Sequence, residues 1–193
     1  MLLPFCAIRR SWLLFMLCIQ CASAAPSARV LFLNSYHQGY EWSDDIVNGV
    51  LASIRDRSLK AELHIEYADL RRHRDPEYLD NLATFYKAKF AKLPFNAVIV
   101  SDDYGVQFVL SRRSELFPRT PIVFCGVNQY EGYTGYVTAP EYRTFLAGVA
   151  EVIDLEETAR LALRLHPRTR RIVLIGEDDP DHERDLSRLF PGI

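Results

Sequence analysis

Cysteine is scarce where it would count: Cys6, Cys18 and Cys21 fall within the first 24 residues, and only Cys125 follows. No internal disulfide can form beyond that point, and no Cys-x-x-Cys pair is available for metal or redox chemistry. Cys125 lies in the apolar run Pro121 to Val127, where a small buried thiol without chemistry is expected. Also missing are a Gly-rich phosphate loop, a His-Glu-x-x-His motif and a Ser nucleophile flanked by glycines. The five histidines, His37, His64, His73, His166 and His182, are scattered rather than set at metal-ligand spacing. Catalysis therefore has no strong support in the sequence, and no cofactor or metal site is expected. After residue 25 no apolar run is long enough to cross a bilayer. No repeat with a period of 20–50 residues and no low-complexity tract is present.

The start of the chain does carry a pattern. Arg9 and Arg10 precede the apolar run Trp12 to Ile19, and Ala22-Ser23-Ala24 forms a small-x-small site before Ala25. That order is the order of a secretory signal peptide, here residues 1–24, and predicts a periplasmic protein. Removing Arg9 and Arg10 takes the formal charge from −2 to −4. An acidic balance disfavours nucleic acid or an anionic membrane surface as a partner.

Beyond the leader, short β-rich runs alternate with longer segments of helical period, which predicts an α/β fold of βαβ units around a parallel sheet. Strands are expected at Val30–Asn34, Glu62–Tyr67, Ala97–Ser101 and Ile122–Cys125. Helices are expected at Ser43–Arg57, Asp75–Lys92 and Tyr104–Leu116. In the first helix Ile46, Val47, Val50, Leu51 and Ile54 share one face, with Ser43 as the expected N-cap. The stretch Gln129–Phe145 breaks the regularity with two glycines, Pro140 and four tyrosines. A helix at Leu155–Leu165, a strand at Arg171–Ile175 and a helical segment at Asp181–Leu189 follow.

In open α/β sheets ligands bind where the strands end, so the residues just after each strand are informative. Asn34-Ser35-Tyr36-His37-Gln38-Gly39-Tyr40-Glu41-Trp42 combines hydrogen-bonding groups with three large aromatics. Such a loop can stack on a ligand and donate to it, or it can cap the core. In Ser101-Asp102-Asp103-Tyr104, helix capping is the expected role of Asp103, while Ser101 and Asp102 read as binding or capping residues. Asn128 follows the fourth strand with an amide that donates and accepts. Asp69 and Arg71, after the second strand, read as a solvated charged turn.

The ordered segments LNSYHQGYEWSDDI, EYADLRR, VIVSDDYGVQFVLSRRSELFPRTPIVFCGVN and GVAEVIDLEETARLALRLHP resemble the periplasmic-binding-protein-like sensor domain found ahead of histidine kinases and diguanylate cyclases. That domain is related to ABC-transporter substrate-binding proteins. The resemblance runs from about Arg29 to Ile175. It implies a two-lobed, Venus-flytrap fold that closes on a small molecule. Residues 25–128 would form the first α/β lobe, 129–147 the inter-lobe connection, and 148–193 an incomplete second lobe. Ser35, Tyr36, His37, Tyr40, Trp42, Ser101, Asp102 and Asn128 would line the cleft, with Glu151 near the hinge. The implied function is a non-catalytic extracytoplasmic sensor, a fragment of a longer receptor serving a membrane-bound kinase or cyclase. The alternative is the periplasmic substrate-binding component of an ABC transporter, with a permease as partner. A receiver-like phosphoacceptor would also use an acidic pair at a strand end, but its phosphate donor is cytoplasmic, which conflicts with the leader.

Overall fold

The structure, a computed structural model, describes residues 27–128, 139–151, 154–173 and 175. Ten elements follow in chain order: β1 (Ala28–Asn34), α1 (Glu41–Asp56), β2 (Ala61–Tyr67), α2 (Pro76–Phe90), β3 (Ala97–Ser101), α3 (Asp103–Ser111), α4 (Arg113–Leu116), β4 (Ile122–Asn128), β5 (Leu146–Glu151) and α5 (Leu155–Leu165). The strands form one sheet in the order β2-β1-β3-β4-β5, and every pairing is parallel. The expected α/β class is therefore the observed one.

The strand order explains the layers. From β1 the chain steps outward to β2, then crosses back over β1 to reach β3, so right-handed crossovers put α1 on one face and α2 on the other. Strand side chains alternate between the faces. Leu31, Leu33, Val98, Val100, Ile122 and Phe124 point one way and pack with Ala83 and Tyr86 of α2 and with Val106, Phe108 and Val109 of α3. Phe32, on the opposite face of β1, is equally buried. The α1 face is more thinly covered towards the β5 edge, where Val123 and Val149 stay exposed.

Several boundaries differ from those expected. Helix α1 begins at Glu41, with Tyr40 rather than Ser43 at its N-cap and no side-chain cap. The amides of Ser43 and Asp44 already donate to the Tyr40 carbonyl, so Ser43 lies inside the first turn, and its Oγ donates to that same oxygen at 3.1 Å. Helix α2 does start at Pro76, and the Asp75 carboxylate accepts from the Tyr78 amide at 2.9 Å. The helix expected over Tyr104–Leu116 divides at Arg112, next to Ser111, whose hydroxyl donates back to the Phe108 carbonyl.

Leu146–Glu151, expected to bridge the end of a connection and the start of a second lobe, is the fifth strand of the same sheet, and Gly148 lies within it opposite Phe124. A Cβ at Gly148 would stand 2.3 Å from the Phe124 carbonyl oxygen, so this close pairing requires glycine. Helix α5 forms where expected, capped by Asp154, which accepts from the Glu157 amide at 2.8 Å. Its Leu161, Leu163 and Leu165 are exposed. Residues 171–173 and 175 take no strand conformation, and Ile172, Val173 and Ile175 are exposed. A strand needs a neighbour for its amides and carbonyls, and none pairs with this segment among the described residues. The stretch 129–138 and the helical segment expected at Asp181–Leu189 lie outside the described residues.

Candidate functional site

The connection from β1 leads to one side of the sheet and the connection from β3 to the other, so their carboxyl ends flank a crevice at the topological switch point. Its floor is a buried polar net. The Asn34 Oδ1 accepts from the Tyr36 amide at 3.0 Å and from the Ser101 hydroxyl at 3.3 Å. The Ser35 hydroxyl donates to the Ser101 carbonyl at 2.6 Å, tying the ends of β1 and β3 together. Gly105 makes room for that hydroxyl, because a Cβ there would lie 2.4 Å from the Ser35 Oγ. Asn34, Ser35 and Ser101 are completely buried. Ser35 and Ser101, expected to line a cleft, thus stand beneath it and hold the two strand ends in register.

Asp102 rises from that floor with φ 66° and ψ 159°, a backbone state that costs a non-glycine residue free energy and clusters at functional sites. Its amide donates to the Cys125 carbonyl and its carbonyl accepts from the Val106 amide, which pins the strained residue on both sides. The side chain is buried, and its Oδ2 has no hydrogen-bond partner. Burial, reinforced by the neighbouring Asp103 carboxylate, raises the Asp102 carboxyl to about 7, while Arg71 and the amides of Asp103 and Tyr104 pull it down. Asp102, not Asp103, holds the N-cap position of α3. The Asp103 carboxylate instead accepts from the Asn128 side-chain amide at 3.2 Å and from its backbone amide at 3.4 Å, joining the ends of β3 and β4. The buried Nδ2 of Asn34 is also without a partner.

Aromatic rings stand above these groups. Tyr36 and Tyr40 stack with centroids 4.4 Å apart, and Trp42 tilts against Tyr36 at 5.4 Å. Trp42 also lies over Gly126, where φ is +62° and a Cβ would sit 2.5 Å from the indole, so this ring anchors the loop to β4. The Arg71 guanidinium lies 5.8 Å from the Tyr36 centroid and 5.3 Å from that of Tyr104, and Arg74 lies 4.4 Å from Tyr104. A groove of about 410 Å³ continues between α2 and α3, lined by Leu70, Arg74, Leu79, Tyr104 and Gln107 among others.

His37 takes another direction. Its Nδ1 is 3.8 Å from Asp69, which also makes a two-pronged contact with Arg72. That guanidinium's hydrogen bonds hold the Asp69 carboxyl below its ordinary value. Glu151, the last residue of β5, lies in register with Asn128 and is exposed. Burial pushes the Cys125 thiol up to about 11, which leaves it unreactive at neutral pH.

The structure thus gathers Tyr36, Trp42, Asp102 and Asn128 around the switch point. It adds Asn34, Arg71 and Asp103, which the sequence alone did not single out as lining residues. Position was the available signal for Asn34, at the end of β1, and for Asp103, just after β3, whereas Arg71 lies four residues beyond β2; what could not be read was that the Asn34 Nδ2 would be left without a partner. Among the described residues no group of His, Cys, Asp and Glu is arranged to hold a metal ion, and no helix is long and apolar enough to cross a membrane. Fold and crevice together define an open, doubly wound parallel α/β domain with a polar, aromatic-rimmed switch point. Compared with known proteins, the chain matches no family model, no curated protein and no solved structure.

Proposed function

We propose that this chain is an extracytoplasmic, non-catalytic small-molecule-binding sensor domain, exported through its leader to the periplasm and resembling the periplasmic-binding-protein-like modules of signal-transduction receptors. The observation that carries the reading is the pair of buried, unpartnered polar atoms, Asp102 Oδ2 and Asn34 Nδ2, at the β1/β3 switch point. A buried polar group without a partner costs on the order of 1–3 kcal/mol. Such a cost is recovered when a ligand supplies the missing hydrogen bonds. The rigid aromatic rim of Tyr36, Tyr40 and Trp42 offers apolar surface beside those groups, the combination expected of a small-molecule site. In this reading the output domain, a kinase or cyclase, belongs to a partner or to a longer receptor.

Thermal unfolding of the purified chain against a small-molecule library tests the proposal. One chemical class should raise the midpoint by mass action, and Tyr36→Ala should abolish the shift. A cooperative transition that no compound moves would overturn the reading.

A further inference from the structure

Helix α5 is strongly amphipathic, yet its apolar side is open. Thr158, Leu161, Ala162 and Leu165 follow one another at i, i+3, i+4 and i+7 and so form one seam along the helix. Glu156 and Arg160 stand on the opposite side and pair with each other. No other described element packs extensively against α5, and Leu161 and Leu165 are 48% and 67% exposed. Thr158 and Ala162 between them are exposed as well.

The charges along the helix identify what covers this seam. Its N-terminal end carries Asp154, Glu156 and Glu157, and its C-terminal end carries Arg164 with Arg168 just beyond. Arg160 takes Glu156 and lies 3.8 Å from Glu157, whereas Arg164 and Arg168 are exposed and make no ion pair among the described residues. A surface of one sign suits only one of these ends: an anionic lipid layer would attract the arginines and repel the acidic first turn. A second α5 running in the opposite direction suits both, because each acidic end meets a basic end and the two helix dipoles are opposed. With a twofold axis level with the middle of the seam, Thr158 of one copy faces Leu165 of the other, and Leu161 faces Ala162. Glu157 and Arg164 border the seam on the same side, and in this arrangement Glu157 lies within about 3 Å, along the helix axis, of Arg164 in the other copy.

We propose that α5 is a self-association element through which two copies of this chain form a weak, symmetric, antiparallel helix pair, with Glu157 of each copy beside Arg164 of the other. The contact is isologous and therefore closes at two copies. A face of 11 residues cannot supply the roughly 1,200 Å² of a stable standard interface, so a dissociation constant on the order of 100 μM is expected. Association at α5 and ligand binding at the switch point stand or fall separately.

Sedimentation equilibrium of the purified chain from about 10 to about 500 μM, at low salt, tests the pairing. The average mass should rise from that of a monomer towards that of a dimer across this range. Leu161→Glu, at an exposed position where the thermal midpoint should not fall, should hold the chain monomeric throughout. Glu157→Arg and Arg164→Glu should each weaken association roughly threefold to tenfold, because every contact occurs twice. The double variant should restore it, although both changes oppose the helix dipole and would only weaken an association that depended on helix stability alone. A monomer at every concentration overturns the proposal, as does a dimer that Leu161→Glu leaves intact or a double variant no stronger than the single ones. A monomer that floats with vesicles of phosphatidylglycerol and phosphatidylcholine in equal parts would assign the arginines and leucines to a lipid surface and overturn it likewise.

Discussion

At the scale of single residues, the crevice is maintained against the local preference of its parts. Asp102 carries a left-handed φ, a buried carboxyl and an unpartnered oxygen together, although none of these is favourable for an aspartate. Its carboxyl, raised from 3.8 to about 7, binds a proton more tightly in the folded chain than in the unfolded one. Below pH 4 both states are protonated and the group is neutral in the balance. As pH rises from about 4 to about 7 the unfolded chain releases the proton first, so stability falls across that window and levels above it. The loss is bounded at roughly 4 kcal/mol. Asp102→Asn should therefore gain stability over the parent progressively between about pH 4 and about pH 7, read as a gap in urea midpoints that widens across that window and levels above it. A gap that does not change with pH would mean that the carboxyl titrates normally. The same substitution is expected to abolish ligand response, a separation of stability from function typical of strained sites.

Elements are held together by close approaches that only glycine permits. The pairing of β4 with β5 passes through Gly148, where a Cβ would strike the Phe124 carbonyl and ring. Gly148→Ala should destabilise the domain by roughly 1–3 kcal/mol, the usual range for overpacking. Hydrogen exchange should then accelerate in Leu146–Glu151 more than in β1 or β3, because among the described residues β5 pairs with β4 alone, whereas β1 and β3 each have two neighbours. Equal acceleration in all five strands would show that β5 is not a separable edge. Gly105→Ala makes a contrasting case. Its Cβ would displace the Ser35 hydroxyl, a movable side chain, and Val100, so the damage should centre on the β1/β3 junction beneath the crevice. Tyr36 and Asp102 would then lose their fixed spacing. A fall in ligand response larger than the fall in stability is the expected outcome, measured on the same thermal curves.

For the whole molecule, the all-parallel sheet joins strands that are distant in sequence. Each adjacent pair is made through a crossover, and β2 and β3 both add to β1. Closing such loops before any pairing forms makes parallel sheets slow to fold. Refolding is expected in milliseconds to seconds, checked by stopped-flow fluorescence of Trp42, which reports when α1 closes over Gly126. Microsecond refolding would contradict the topology. Export acts at the same scale. If the leader functions as its sequence indicates, the protein recovered from the periplasm begins at Ala25, and intact-mass measurement will show the loss of residues 1–24. A mass retaining the leader would instead make it an anchor.

Hydrophobic period, turn residues and leader pattern are local properties, and they were legible in the chain itself: the α/β class, the first four strand segments, α5, and the strand-end position of the candidate site residues. Val30–Asn34 and Ala97–Ser101 announce themselves because a buried parallel strand is a short apolar run bounded by polar turns. What the tertiary structure decided depends on contacts across the chain. The order β2-β1-β3-β4-β5 makes β1 and β3 neighbours and so creates the crevice between their ends. Leu146–Glu151 becomes a strand because β4 is there to pair with it, whereas the equally apolar stretch from Ile172 to Ile175 has no described neighbour. The hydroxyl groups of Ser35 and Ser101 found partners on the adjacent strand, whereas Asn34 and Asp102 each kept a buried polar atom without one. Which buried polar group goes unsatisfied is a property of three-dimensional neighbours, and no reading of spacing or composition contains it.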